Sequence, residues 1–316
     1  MVRIGEFRSS EYGTAWGRPG DQVMPKNPGK VFDGEVRCRY FDGGFTVLYR
    51  PIRADVAESV AYNMEAAAYN PNVGYSQNNA DYPRESFYYA LANAGGDAAK
   101  IDELCNGDCS AGTAALLKNA GVDVPLSMWT GTAPMILEKT RAFLSMDIDP
   151  EDPNSDYLMR GDILYRPGHM AIVLENGACM IPFPVYATGD VWQRLIPGTE
   201  PGTQLRAIAR GDRADAYLPP VDIQGRNWYV TLYNGRRGWT SSRYLKPAKE
   251  VEATGSVYIR KLPKLGAEVL ETLHTGDRRP ATDTIYVDSR SVYWYSVQSD
   301  DALGWVSSKY SKIVDE

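Results

Sequence analysis

Two residues able to act as a nucleophile and a base, Cys109 and His169, stand sixty positions apart. Cys109 lies in GDCSAGTAALLKNAG, residues 107–121, at the head of an Ala/Leu-rich segment that reads as a buried helix. A helix N-terminus carries partial positive charge and unpaired N–H groups. A thiol held there is expected to lose its proton readily and to attack electrophiles near neutral pH. His169 opens an alternating apolar run in RGDILYRPGHMAIVLENG, residues 160–177. The chain has two histidines, His169 and His274, so a Cys–His pair in its first two-thirds can use only His169. The competing reading makes Cys109 a structural thiol beside Cys105. Four cysteines, with Cys38 and Cys179 completing the set, are too few for a disulfide scaffold in 316 residues. No CxxC or HxxxH spacing exists, so neither a metal nor another cofactor is expected.

The elements that must position this pair are legible in outline. Val56, Val60, Met64 and Ala67 or Ala68 recur at helical spacing over 53–69, a helix ended by Asn70-Pro71. A second helix is expected over about 83–94, stopped by Gly95-Gly96, and another near 132–143 beyond the Cys109 helix. Residues 147–156 form a polar loop, which lacks the sixth-position glycine of a calcium loop. Strands are expected over 162–166, 169–175 and 178–183, with Asn176-Gly177 as a hairpin turn between the last two. Residues 1–50 read as irregular structure with short strands. Helices followed by antiparallel strands predict an α+β domain, the Cys109 helix packed on the sheet that carries His169.

The last 110 or so residues change character and hold an internal repeat. NWYVTLYNGRRGWTSSRYLKP contains Trp228 and Trp239, and YWYSVQSDDALGWVSSKYSKI contains Trp294 and Trp305. Each copy reads as a strand, a turn, a strand ending in Gly-Trp, and a one-turn helix. The tryptophans are expected in the cores of two small barrels, with Tyr233, Arg236 and Arg237 available for a binding surface. Residues 1–200 carry 17 basic against 26 acidic residues and residues 201–316 carry 17 against 14, net charges of −9 and +3. That balance argues against a nucleic-acid partner and fits a tail that settles on an anionic surface. No 18-residue apolar run predicts a membrane span, and the N-terminus lacks the pattern of a secretory signal.

GDCSAGTAALLKNAG followed by RGDILYRPGHMAIVLENG resembles the NlpC-type papain-like cysteine peptidases of bacterial and phage cell-wall lysis, with the related CHAP amidases sharing the plan. The GW-ending repeats resemble bacterial SH3-like wall-binding domains. The resemblance implies an α+β papain-like peptidase domain over 1–200, with 1–50 as its N-terminal extension, then two small all-β SH3-like barrels over 203–250 and 251–316. It implies Cys109 as nucleophile and His169 as base, and the Cys109 N–H in the oxyanion hole. Asp108 falls in place to cap the helix and border that hole, and Tyr75 matches the tyrosine facing the reacting carbonyl. The position where the family carries a third, imidazole-orienting residue is apolar here. Glu175, Tyr186, Asp190, a backbone carbonyl or water stand as alternatives. The implied function is peptidoglycan hydrolysis by a monomeric phage endolysin, held in the host cytoplasm and then released to the wall, or else an extracellular enzyme. The alternatives are a muramoyl-L-alanine amidase and a wall-binding protein with a degenerate peptidase domain.

Overall fold

Alternating apolar residues make each strand of the first unit two-faced, and both faces are used. The computed structural model describes residues 1–10, 12–20, 34–299 and 302–315, and the chain divides into two units, Met1–Gly177 and Ala178–Glu316. Among these residues the first unit runs β1 (Arg3–Phe7), β2 (Val36–Tyr40), β3 (Val47–Pro51), α1 (Ala54–Tyr69), β4 (Val73–Tyr75), α2 (Ser86–Asn93), β5 (Cys105–Gly107), α3 (Cys109–Asn119), α4 (Ala133–Thr140), β6 (Phe143–Asp147), β7 (Ile163–Arg166) and β8 (His169–Val173). Six strands form an antiparallel sheet in the order β2-β1-β8-β7-β3-β6, and β4 pairs with β5 in a separate parallel pair.

Phe7, Tyr49, Ile163, Tyr165, Met170 and Ile172 face the helices and join their apolar residues in one core. The alternate residues Ile4, Leu48, Leu164, Ala171 and Val173 pack on Phe41 and Phe45 in a second core on the other face. The α+β expectation holds in this unit, and the described part of residues 1–50 supplies strands to its sheet. Strand β1 lies inside the sheet between β2 and β8. Outside the described residues lie Glu11, 21–33, Asp300, Asp301 and Glu316, which take in part of that N-terminal stretch and the turn of the second repeat.

The expected strand 178–183 and its Asn176-Gly177 hairpin do not form. Gly177 instead passes so close to the 155–156 backbone that a Cβ would stand 2.2 Å from the Ser155 carbonyl oxygen. The following strand is β9 (Phe183–Ala187), and it belongs to the second unit. There β9, β10 (Val191–Arg194), β11 (Gln204–Ile208), β12 (Arg213–Asp222), β13 (Asn227–Tyr233), β14 (Arg236–Ser241) and β15 (Leu245–Pro247) form one sheet in the order β11-β10-β14-β13-β12-β9-β15. The same order recurs, shifted by seven, in β16 (Lys249–Ala253), β17 (Val257–Arg260), β18 (Val269–Leu273), β19 (Arg278–Val287), β20 (Tyr293–Ser299), β21 (Ala302–Ser307) and β22 (Ser311–Asp315).

The repeat therefore includes strands upstream of residue 203. The end strands of neither sheet pair with each other, so the expected closed barrels are open seven-stranded sheets. Trp228, Trp239 and Trp294 are buried, as core residues should be. The interiors differ in kind. Gln193 donates to Thr231, whose hydroxyl meets that of Thr240 at 2.7 Å. Ile259, Val297 and Val306 hold the matching positions of the second repeat as plain apolar core.

Candidate functional site

Helix α3 begins where the sequence places it. Asp108 is its N-cap, with Oδ1 accepting from the Ser110 and Ala111 amides at 2.9 and 2.7 Å. Two glycines let the helix sit flush on β1. A Cβ at Gly112 would stand 2.3 Å from the Phe7 ring, and one at Gly107 2.7 Å from it. The other oxygen of Asp108 pairs with Arg84 at 2.8 Å. With its side chain 2% exposed and both oxygens engaged, Asp108 is a cap and an anchor, not the substrate-contacting group expected from the resemblance.

His169 is placed by a two-residue hairpin. Arg166 pairs with His169 across Pro167-Gly168, and Gly168 takes φ +85° at the second turn position, as a Pro-Gly type II turn requires. The neighbouring Asp162 of the RGD segment is structural, bound to Arg50 at 2.7 Å in a buried pair.

The Cys109 thiol approaches this strand from the helix side. Its Sγ lies 3.9 Å from the Gly168 carbonyl oxygen, and the Met170 amide also reaches it. The sulfur thus touches the backbone on both sides of His169, but no hydrogen bond joins it to the imidazole in this resting arrangement. Burial, with the Asp108 carboxylate beside it, pushes the thiol up to about 11. The Met170 and Ser110 amides and the Arg84 guanidinium pull the other way without prevailing. The thiolate expected from the helix N-terminus is therefore not the resting form, because desolvation outweighs the helix charge. The Cys105 thiol is not in a disulfide, so it is no covalent partner of Cys109.

Tyr75 ends β4 opposite Gly107, immediately before the Cys109 helix. It is buried, its oxygen accepts from Gln77 Nε2 at 2.8 Å, and burial followed by the nearby Cys109 raises its hydroxyl to about 12. The structure thus brings Tyr75, Asp108, Cys109 and the start of the His169 strand into one neighbourhood.

Of the residues considered for orienting His169, the one in the first unit is engaged by another partner. Glu175 is bound to Arg3 at 2.5 Å. Tyr186 and Asp190 belong to the second unit, where Asp190 caps the Arg210 amide at 2.9 Å. The group that does meet the imidazole is Glu6 on β1, with Oε2 2.8 Å from His169 Nε2. Its Oε1 takes Arg37 at 2.5 Å and Arg39 at 3.0 Å, both from β2. Burial would raise Glu6, but the His169 hydrogen bond and the charges of Arg39, His169 and Arg37 hold it down at about 2. The Phe45 ring stacks beside the imidazole at 6.1 Å. The only signal for Glu6 in the sequence is a lone acid in the apolar run RIGEF, which a solvent-facing strand position explains equally well.

In the second unit, the suggested surface of Tyr233, Arg236 and Arg237 is not formed as expected. Arg237 is buried, and Tyr233 hydrogen-bonds Asp212 under Arg206. Equivalent positions of β10 and β17 instead expose Trp192 and Tyr258, at 47% and 49%.

The endolysin-like domain, as a family, matches residues 5–180. Among solved structures, NlpC2 from Trichomonas vaginalis is 7% identical, covering 42% of this chain and 48% of that one, with a TM-score of 0.23. An NlpC/P60 family protein from Bacillus cereus is 11% identical, covering 42% and 57%, with a TM-score of 0.16. This chain thus spans about half the length of these structures. No curated protein matches it.

Proposed function

Because the chain belongs to the endolysin-like domain family, we propose that it is a peptidoglycan hydrolase that cleaves a peptide or amide bond of the wall stem peptide through Cys109 and His169. The observation that carries this reading is the Cys109 sulfur, at the N-terminus of α3, lying against the backbone that flanks His169. A protonated resting thiol needs a base at the moment of attack. In this reading substrate binding closes the gap between sulfur and imidazole, and His169 takes the thiol proton as the sulfur attacks the carbonyl carbon. The oxyanion meets the Cys109 N–H, which remains because Asp108 occupies the next three amides of the turn. The Tyr75 hydroxyl, kept protonated and already accepting from Gln77, has its own hydrogen left to donate to the same oxygen. His169 then protonates the leaving amine, and water releases the acyl group from sulfur with His169 again as base.

The second unit is read as two SH3-like wall-binding modules, with the repeated exposed aromatics Trp192 and Tyr258 available to stack on sugar rings or peptide cross-bridges. This reading describes a phage-type endolysin of the host cytoplasm, acting at the wall after release. A second reading, a wall-binding protein with an idle peptidase domain, draws on the absent thiol–imidazole hydrogen bond. Clearing of purified walls by Cys109→Ala decides between them. Lost clearing with retained wall binding supports the enzyme, and undiminished clearing overturns it. Mass spectrometry of the released fragments assigns the bond as endopeptidase or amidase type.

A further inference from the structure

We propose that Glu6, a residue of the N-terminal strand, is the positioning residue for His169 and fixes Nδ1 as the nitrogen that accepts the Cys109 proton. The inference rests on the Cys109–His169 reading. Its geometry divides the two oxygens of one carboxylate. Oε1 is given to Arg37 at 2.5 Å and Arg39 at 3.0 Å, and Oε2 to His169 Nε2 at 2.8 Å.

An ionised carboxylate can only accept hydrogen bonds. Two guanidinium groups, with Asp42 behind Arg39, keep Glu6 ionised. Nε2 must then carry the hydrogen, and in the neutral ring Nδ1 carries the lone pair. Nδ1 is also the ring nitrogen nearer the His169 main chain, which is where the Cys109 sulfur lies, between Gly168 and Met170. When the ring becomes imidazolium during attack, the carboxylate at Nε2 stabilises it. Among the described residues, the titratable and charged groups facing this part of the strand are Glu6 on β1, Arg37 and Arg39 on β2 behind it, and the neutral Cys109 thiol on α3. Arg166 on β7 lies over the Phe45 ring that flanks the imidazole.

The arrangement gives β1 a role that its position in the chain hides. The third group reaches the imidazole from a strand more than 160 residues upstream, paired directly to β8 through Ile4↔Val173 and Gly5↔Ile172. Arg37 stands opposite Glu6 in the β1–β2 register, so the anchor of the carboxylate comes from the next strand out.

The test uses the full chain with ¹⁵N-labelled histidine, where only His169 and His274 give signals. In the Cys109→Ala background, which blocks turnover, the neutral form of the His169 ring should be the Nε2–H tautomer. Glu6→Gln should lower the His169 titration midpoint measured by NMR and leave His274 unmoved. In the active chain, Glu6→Gln should lower kcat about 10–1000-fold with little change in KM, and move the acidic limb of the pH–rate profile downward.

Because Glu6→Gln also removes the ion pairs of Arg37 and Arg39 with this carboxylate, Arg37→Gln is the comparison. It removes one anchor and leaves Arg39 on Oε1, so it should keep the Nε2–H tautomer and lower kcat less than Glu6→Gln does. Unchanged tautomer, titration and kcat in Glu6→Gln would overturn the proposal. A rise in kcat would overturn it too, making Glu6 a latch that holds the ring away from the sulfur. If Cys109→Ala still cleared walls, the hydrolase reading itself would fail, which is a separate outcome from either of these.

Discussion

At the scale of single residues, burial and charge decide what Cys109 and Glu6 can do. Cys109 is raised to about 11, and the buried Cys38 and Cys105 to about 12, whereas Cys179 is partly exposed. Iodoacetamide near pH 7 should therefore modify Cys179 first. Modification of Cys109 should accelerate as pH climbs toward 11, as peptide mass spectrometry can follow. Fastest labelling at Cys109 near pH 7 would show that the helix N-terminus outweighs desolvation after all. Glu6 titrates in the opposite sense. Its value falls from 4.5 to about 2 in the fold, so its stabilisation is complete above about pH 4.5 and is lost as pH falls toward 2. The shift is on the order of 3 kcal/mol. Acid unfolding of the wild type should show this loss below pH 4.5, and Glu6→Gln should flatten the dependence there while lowering stability at pH 7.

At the scale of elements, the seating of α3 on β1 controls the site. Gly112→Ala would drive a methyl into the Phe7 ring, 2.3 Å from the new Cβ. The expected cost is about 1–3 kcal/mol of stability. Thermal melting should show it, and a Gly112→Ala, Phe7→Leu double-mutant cycle should recover part of it, since the smaller side chain leaves room. Additive losses would mean that the helix shifts away from β1 instead. The same packing explains why this helix was legible: an acid before Cys109 caps the turn, and small residues behind it permit close approach. The hairpin expected at Asn176-Gly177 does not form, for a related reason. The glycine there answers a close contact with the 155–156 backbone rather than a turn between paired strands, and contacts of that kind leave no local pattern.

At the scale of the whole molecule, the two units set where the chain can be cut. A protein ending at Gly177 keeps every strand of the first sheet, whereas one ending at residue 202 carries β9 and β10 without their partners in β12, β14 and β15. The shorter form should be soluble and monomeric by light scattering, and the longer one aggregation-prone through its unpaired edges. The shorter form should also attach to intact cells far less than the full chain. Equal attachment would mean that the repeats do not target the wall. Within the second unit, Trp294→Ala should cost about 3–5 kcal/mol and melt its own repeat first. Trp305, only partly buried against Tyr286, should be far more tolerant.

Local chemistry determined what could be read without coordinates. The Asp-Cys-Ser start of α3, the Pro-Gly turn before His169, the helical spacing of α1 and the paired Gly-Trp strands all act within a few residues. Each follows from capping, turn or periodicity rules. Only the tertiary structure decided what depends on contacts between distant segments. It placed β1 inside the sheet, and it brought Glu6 rather than Glu175 to His169. It also left the Cys109 thiol protonated, because the desolvation that raises it comes from the whole core packed around α3 and not from the helix end that the sequence displays.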